Sequence, residues 1–251
     1  MSNDDAKPVC LYAFHRIVLS FFVEGHFIMA TETHLSLPVC AIIGAGKGIS
    51  MGIAEKFGSA GYRIVLISRT EPSLEFLCEE LQGKGITANY IVADTYSPDS
   101  VRSALRTAKE QWGTIEVLHY NAAAMKMVEL FAETAEELAK DFLVSVGNAH
   151  AAVMHVLPDM QTQRRGTILF TGGGFSMYPD PRFASLSLGK SGLRSLAQQF
   201  HSLLKDTPIH VGTVTVCGYV SNDSPKHTPT AIAEEFWKIH TGTAASWEIV
   251  F

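Results

Sequence analysis

Val39-Cys40-Ala41-Ile42-Ile43-Gly44-Ala45-Gly46-Lys47-Gly48-Ile49-Ser50-Met51-Gly52-Ile53-Ala54 is the stretch that decides the fold. Its first five residues are apolar and suit a strand buried on both faces. Glycines then break the run, and a helical stretch opens directly after them. Glycine lets the backbone turn tightly and approach a ligand closely. A helix N-terminus adds free N–H donors and the positive end of its dipole. Strand, glycine turn and helix in this order fit a pyrophosphate.

Outward from this unit the alternation continues. Strands are expected at 39–43, 63–68, 88–93, 115–120, 167–171 and 210–216, and helices starting near Gly48, Pro72, Pro98, Thr134 and Phe183. Strict alternation implies right-handed crossovers and an α/β fold: a doubly wound, mostly parallel sheet with helices on both faces. Its ligand crevice would lie beyond the carboxyl ends of the strands. Residues 221–229, Ser-Asn-Asp-Ser-Pro-Lys-His-Thr-Pro, read either as a lid over a substrate or as an ordinary surface excursion. Residues 231–240 then read as a short helix and 247–251 as an edge strand.

The length of 251 residues suits one such domain, spanning 37–251, with a C-terminal substrate loop from about 221. Residues 1–36 read as an extension outside the fold, and Met29 opens a segment, Met-Ala-Thr-Glu-Thr-His-Leu-Ser-Leu-Pro, that resembles an ordinary chain start. The apolar stretch 9–30 is interrupted by His15, Arg16, Glu24 and His26, short of the ~20 residues of a membrane span. Apolar residues make up 47% and charged ones 18%, which excludes a disordered chain. A net charge of -5 gives no electrostatic reason to expect nucleic acid or an anionic membrane. Cys10, Cys40, Cys78 and Cys217 are scattered, without metal-binding spacing, so free thiols and a cytoplasmic location are expected and no metal site.

Two cations flank the phosphate turn. Lys47 sits inside it, and Arg69 follows the second strand, where a carboxylate would hold the ribose 2′-hydroxyl of NAD. Cations there suit a 2′-phosphate, so NADP(H) is the expected cofactor.

From about Val39 to Val220 the chain resembles the short-chain dehydrogenase/reductase family, whose domain is a Rossmann fold. Its Thr-Gly-x-x-x-Gly-x-Gly loop aligns with Ile43-Gly44 through Gly48-Ile49-Ser50, with the threonine and third glycine replaced. Lys47 and Arg69 fall where NADP-preferring members carry basic residues. Asp94 resembles the aspartate that meets the adenine. Asn121-Ala122-Ala123 resembles Asn-Ala-Gly, and Val216-Cys217-Gly218-Tyr219-Val220 the segment along the nicotinamide. The resemblance therefore implies cofactor contacts at Gly44, Lys47, Gly48, Ile49, Arg69, Asp94, Asn121, Lys190 and Val220. It also implies a homodimer or homotetramer paired through the helices expected over 134–160 and 183–205.

The catalytic pattern departs from the family. Members use a tyrosine as acid, a lysine four residues later and a serine that hydrogen-bonds the substrate oxygen, because hydride arriving at carbon leaves an alkoxide that needs a proton. Here Lys190 matches the lysine, the tyrosine position is Leu186, the serine position reads as Gly172, and a helix asparagine appears as Ser145. Tyr178 in the glycine-rich loop is one candidate donor and Ser187, about 100° around the helix from the vacant position, another; water or the substrate is a third. Three glycines, 172–174, and the aromatic and methionine side chains Phe175, Met177, Tyr178, Phe236 and Trp237 suggest a pocket for a bulky apolar molecule. Two functions follow as expectations. One is an NADPH-dependent reductase of an apolar carbonyl, imine or enone. The other is an NADP-binding protein without redox turnover, acting as scaffold, sensor, cyclase or isomerase.

Overall fold

The computed structural model describes residues 21–23, 26–28 and 37–251. The chain divides into two units, residues 1–35 and 36–251. In the first, strands β1 (Phe21–Val23) and β2 (His26–Ile28) pair antiparallel, Phe21 opposite Ile28. The rest of the expected extension lies outside the described residues.

The second unit runs β3 (Val39–Ile43), α1 (Ile49–Ser59), β4 (Arg63–Ser68), α2 (Glu71–Gly83), β5 (Ala88–Val92), α3 (Pro98–Trp112) and β6 (Ile115–Tyr120). It continues with α4 (Ala135–Phe142), α5 (Asn148–Gln163), β7 (Gly166–Gly173), α6 (Ala184–Leu204), β8 (Ile209–Val216), α7 (Pro229–His240) and β9 (Glu248–Val250). Local chemistry sets the starts: Ser97 and Thr228 cap α3 and α7 through their side chains, Pro72, Pro98 and Pro229 sit in first turns, and Thr134 with Glu137 forms a capping box on α4.

The seven strands are all parallel, in the order β5-β4-β3-β6-β7-β8-β9. β3 and β6 are neighbours although five elements separate them in sequence, so the strand order reverses between them. That reversal opens a crevice at their carboxyl ends. Two apolar clusters fill the space between sheet and helices. One gathers Ile43, Val65, Leu118, Val153, Phe170 and Leu193; the other gathers Ile42, Ile53, Phe57, Leu66, Leu74 and Phe236. The expected edge strand is present as β9, whose Glu248 is paired with Arg194 and accepts from the Thr215 hydroxyl at 2.6 Å.

One expected element differs. The helix foreseen over 134–160 is broken at Leu143–Gly147 by a π-helical segment between α4 and α5. The buried Tyr120 hydroxyl donates to the Val144 carbonyl inside it. A wide turn frees carbonyls from the helical ladder, and the tyrosine, reaching from β6, satisfies one of them.

Candidate active site

The phosphate turn is held by its own residues. Gly44 has φ +82°, and a Cβ there would stand 2.4 Å from the Ala122 amide nitrogen, so only glycine fits where the ends of β3 and β6 meet. The Asn121 side chain donates to the Gly44 carbonyl at 2.9 Å and to Ser50 Oγ at 3.0 Å, while Ser50 Oγ donates to the same carbonyl at 3.1 Å. Asn121 is thus spent on the turn. Ser50, which replaces a glycine of the family motif, completes the lock. Beyond it the turn is open: a Cβ at Gly46 or Gly48 would meet nothing within 4 Å, and no side chain caps the first amides of α1. Open space over uncapped amides fits an anion.

Lys47 and Arg69 are both exposed. The Lys47 ammonium lies 4.8 Å from the centre of the Phe76 ring and the Arg69 guanidinium 5.5 Å from that of Tyr96. Each cation therefore rests on its own aromatic, and no common partner joins them. Asp94 turns one carboxylate oxygen inward to the Tyr96 amide at 3.0 Å and is otherwise exposed. Ile49 and Val220 pack half-buried against one apolar cluster, so the turn and the segment after β8 share a backing. A cavity of about 110 Å³ opens between Arg69, Thr95, Tyr96, Ala123, Lys126 and Val144.

Lys190 is buried, 8% exposed, and its ammonium donates to the Thr171 carbonyl at 2.6 Å. Burial pushes its pKa down to about 8. On the other side of that residue, the Thr171 hydroxyl meets Nε2 of the fully buried His119 at 2.8 Å. Burial, then the Lys190 charge, pushes His119 down to about 3, so it is neutral. Its Nδ1 has no partner.

Several expectations change here. A Cβ at Gly172 would meet Thr215 Oγ1 at 2.6 Å, whereas one at Gly173 would lie 3.5 Å from Cγ and Cε of Lys190. The side-chain position facing the lysine is therefore Gly173. Ser187 accepts from the Asp180 amide at 3.1 Å and donates to its carbonyl at 3.3 Å, so its hydroxyl pins a loop. Tyr178 is 72% exposed, and its hydroxyl makes no hydrogen bond to Lys190 or any other described residue. Ser145 is buried and accepts from the Ala124 amide at 3.4 Å. Phe236 and Trp237 do not line a crevice: Phe236 is fully buried against His119, and Trp237 packs edge-on to Phe57 at 5.0 Å, because α7 lays that face on α1. Phe175 stacks on Phe183 at 5.2 Å, beside the loop that holds Tyr178.

Sequence reasoning missed a charged cluster. Lys126 lies between the carboxylates of Glu133 at 2.9 Å and Asp141 at 2.8 Å, both shielded from solvent; Ser185 donates to Glu133 and Tyr96 to Asp141. Burial raises the Asp141 pKa, but the Lys126 ammonium and the Tyr96 hydroxyl outweigh it and leave it low. With the Leu130 amide on the Pro181 carbonyl at 3.0 Å, this cluster ties the loop after β6 to the start of α6. Charges of opposite sign up to 15 positions apart carry no local pattern that would have revealed it. No group of metal-ligating side chains occurs among the described residues, and none of their helices is long and apolar enough to cross a membrane. Cys40 and Cys78 are buried free thiols and Cys217 an exposed one.

A family model described as short chain dehydrogenase matches residues 38–231. The chain belongs to the short-chain dehydrogenase family. Oxidoreductase UcpA of Escherichia coli is 28% identical over 180 residues, covering 71% of this chain and 68% of that protein. The crystal structure of a short-chain dehydrogenase from Rhodopseudomonas palustris superposes with a TM-score of 0.75 at 25% identity, over 85% of this chain and 97% of that one. A metagenomic short-chain oxidoreductase in complex with NADP shares the fold, with a TM-score of 0.75 at 22% identity over 85% and 96% of the two chains. The family uses nicotinamide cofactors, and the open turn, uncapped α1 amides and buried Lys190 of this chain fit one.

Proposed function

We propose that this chain is an NADPH-dependent reductase that acts on a carbonyl, imine or enone of an apolar small molecule. The observation that carries this reading is Lys190: a buried ammonium with one carbonyl partner and no paired carboxylate among the described residues. Isolating such a charge costs stability, and charges kept that way belong to working sites. Lys47 and Arg69, one in the turn and one after β4, supply the positive charge for a 2′-phosphate. One solved structure of the same fold holds NADP. Bound NADPH would supply hydride. The uncapped amides of α1 would hold its phosphates, and Lys190 would hold its nicotinamide ribose. Gly173 and Leu186 offer the substrate no hydroxyl beside Lys190.

The test is an NADPH fluorescence titration followed by NADPH consumption with ketone, quinone, imine and enone acceptors. The double change Lys47→Glu, Arg69→Asp is expected to weaken NADPH binding about 100-fold and to spare NADH. Unchanged NADPH affinity in that variant would overturn the cofactor assignment. The replacement of both acid and hydroxyl donors by Leu186 and Gly173 favours a second reading, a protein that binds NADPH without consuming it. Tight binding with every acceptor inert would select it. A homo-oligomer in the cytoplasm accords with the proposal, and sedimentation velocity tests the assembly.

A further inference from the structure

A reductase with this site lacks an evident source for the proton that its substrate oxygen must receive. Three hydroxyls and one thiol around the crevice are committed elsewhere, and the Ser176 hydroxyl after β7 is buried without a partner. Ser187 exchanges hydrogen bonds with Asp180, Ser145 serves the Ala124 amide, Thr171 pairs with His119, and Cys217 donates to the Thr215 carbonyl. His119 is neutral and sealed in the core. Tyr178 points its hydroxyl at no partner and stands 72% exposed.

We propose that Lys190 is itself the catalytic acid, delivering a proton from Nζ to the substrate oxygen in place of the missing tyrosine. This rests on the reductase reading above. Lys190 lies one helical turn after Leu186 on the same face of α6, and its stem runs along Gly173, where glycine provides no side chain to cover it. One of its three N–H bonds goes to the Thr171 carbonyl, which leaves two for a ribose hydroxyl and a substrate oxygen. In the step, the carbonyl carbon gains hydride from NADPH, the C=O π pair moves to oxygen, and that oxygen takes an Nζ proton. The neutral amine then recovers a proton from water.

The surroundings suit the task. The titratable groups around the ammonium are neutral His119 on β6, across Thr171, and the Cys217 thiol after β8, beyond Gly174; one turn further along α6, Arg194 is held in an ion pair with Glu248 of β9. Burial without a counter-ion brings the ammonium down to about 8, close to the working pH that favours a general acid. A protonated donor is needed, so activity is present below this value and falls as pH rises through it.

Three measurements on the full chain decide the matter. The first needs no turnover: NMR titration of ε-¹³C-lysine protein, with Lys190→Met identifying the resonance, is expected to place the Lys190 midpoint near 8. A midpoint in the ordinary lysine range of about 10.4 overturns the proposal. The second is the pH dependence of kcat for NADPH oxidation with 9,10-phenanthrenequinone or cyclohexenone, whose alkaline limb is expected to coincide with that midpoint. A limb more than about one unit away overturns it. Lys190→Arg keeps charge and hydrogen-bond donors but does not release a proton, so kcat is expected to fall about 100-fold. If Lys190→Arg turns over like the parent, this inference fails and the reductase reading stands. If the parent binds NADPH and oxidises it with neither acceptor, both fail.

Discussion

The two halves of the crevice are built on different terms. At the ends of β3 and β6 the geometry is dictated by backbone: Gly44 is forced by a positive φ and a 2.4 Å approach, and Asn121 and Ser50 lock its carbonyl. At the ends of β7 and α6 side chains have been removed, and Gly173 and Leu186 leave Lys190 alone. Residues that hold a backbone shape cannot be exchanged without losing the fold. Residues that supply a proton can be exchanged if another group takes the work.

Gly44→Val should break the first half outright. Left-handed strain and the collision with Ala122 together cost about 4 kcal/mol, read as a large fall in Tm and loss of NADPH binding. A variant of normal Tm would refute the view that backbone governs this end.

The next effect is acid sensitivity on the catalytic side. His119 is pushed down to about 3 when folded, against about 6.5 unfolded, so the unfolded chain binds its proton first. The stability this gives is present above about 6.5 and is lost as pH falls toward 3. Between pH 7 and 4.5 the loss attributable to His119 is about 2–3 kcal/mol, and His119→Val should flatten that part of a urea-denaturation profile. His240, brought down to about 4 chiefly by burial, acts in the same direction and remains in the variant.

Smaller effects separate adjacent positions. Gly172→Ser drives a Cβ to 2.6 Å from Thr215 Oγ1 and is expected to cost about 1–3 kcal/mol. Gly173→Ser makes only ordinary contacts of 3.5 Å with Lys190 and should stay within about 0.5 kcal/mol of the parent in chemical denaturation. Equal losses at both would show that the two glycines do not face different surroundings. Tyr120→Phe leaves the Val144 carbonyl without its donor and should cost about 1–2 kcal/mol by the same measurement, with cofactor affinity retained.

The strands and helix starts were legible because each has a local cause: buried runs such as 39–43 and 63–68, and prolines or capping residues such as Pro98 and Thr134. The glycine turn after β3 was legible for the same reason. Gly172 and Gly173 were confused because glycine carries no side chain to register which way a position faces. The π-helical segment escaped because its wide turn is supported from β6 by Tyr120, far away in sequence. Phe236 and Trp237 were placed in the crevice because scattered aromatics do not state whether they meet a ligand or a neighbouring helix. Lys126, Glu133 and Asp141 became a unit only through folding.

Gly52 ties distant parts of this machinery together. A Cβ there would stand 2.3 Å from the Pro229 carbonyl, so the first turns of α1 and α7 touch through bare backbone. Pro229 ends the segment that leaves β8 beside the crevice, and Gly52 lies one turn past the uncapped amides of α1. The two ends of the binding cleft therefore share a rigid bearing with no side chain to absorb slack. Changes in sequence that displace the segment after β8 should register as altered phosphate affinity, and natural variation at the two contacts should be correlated.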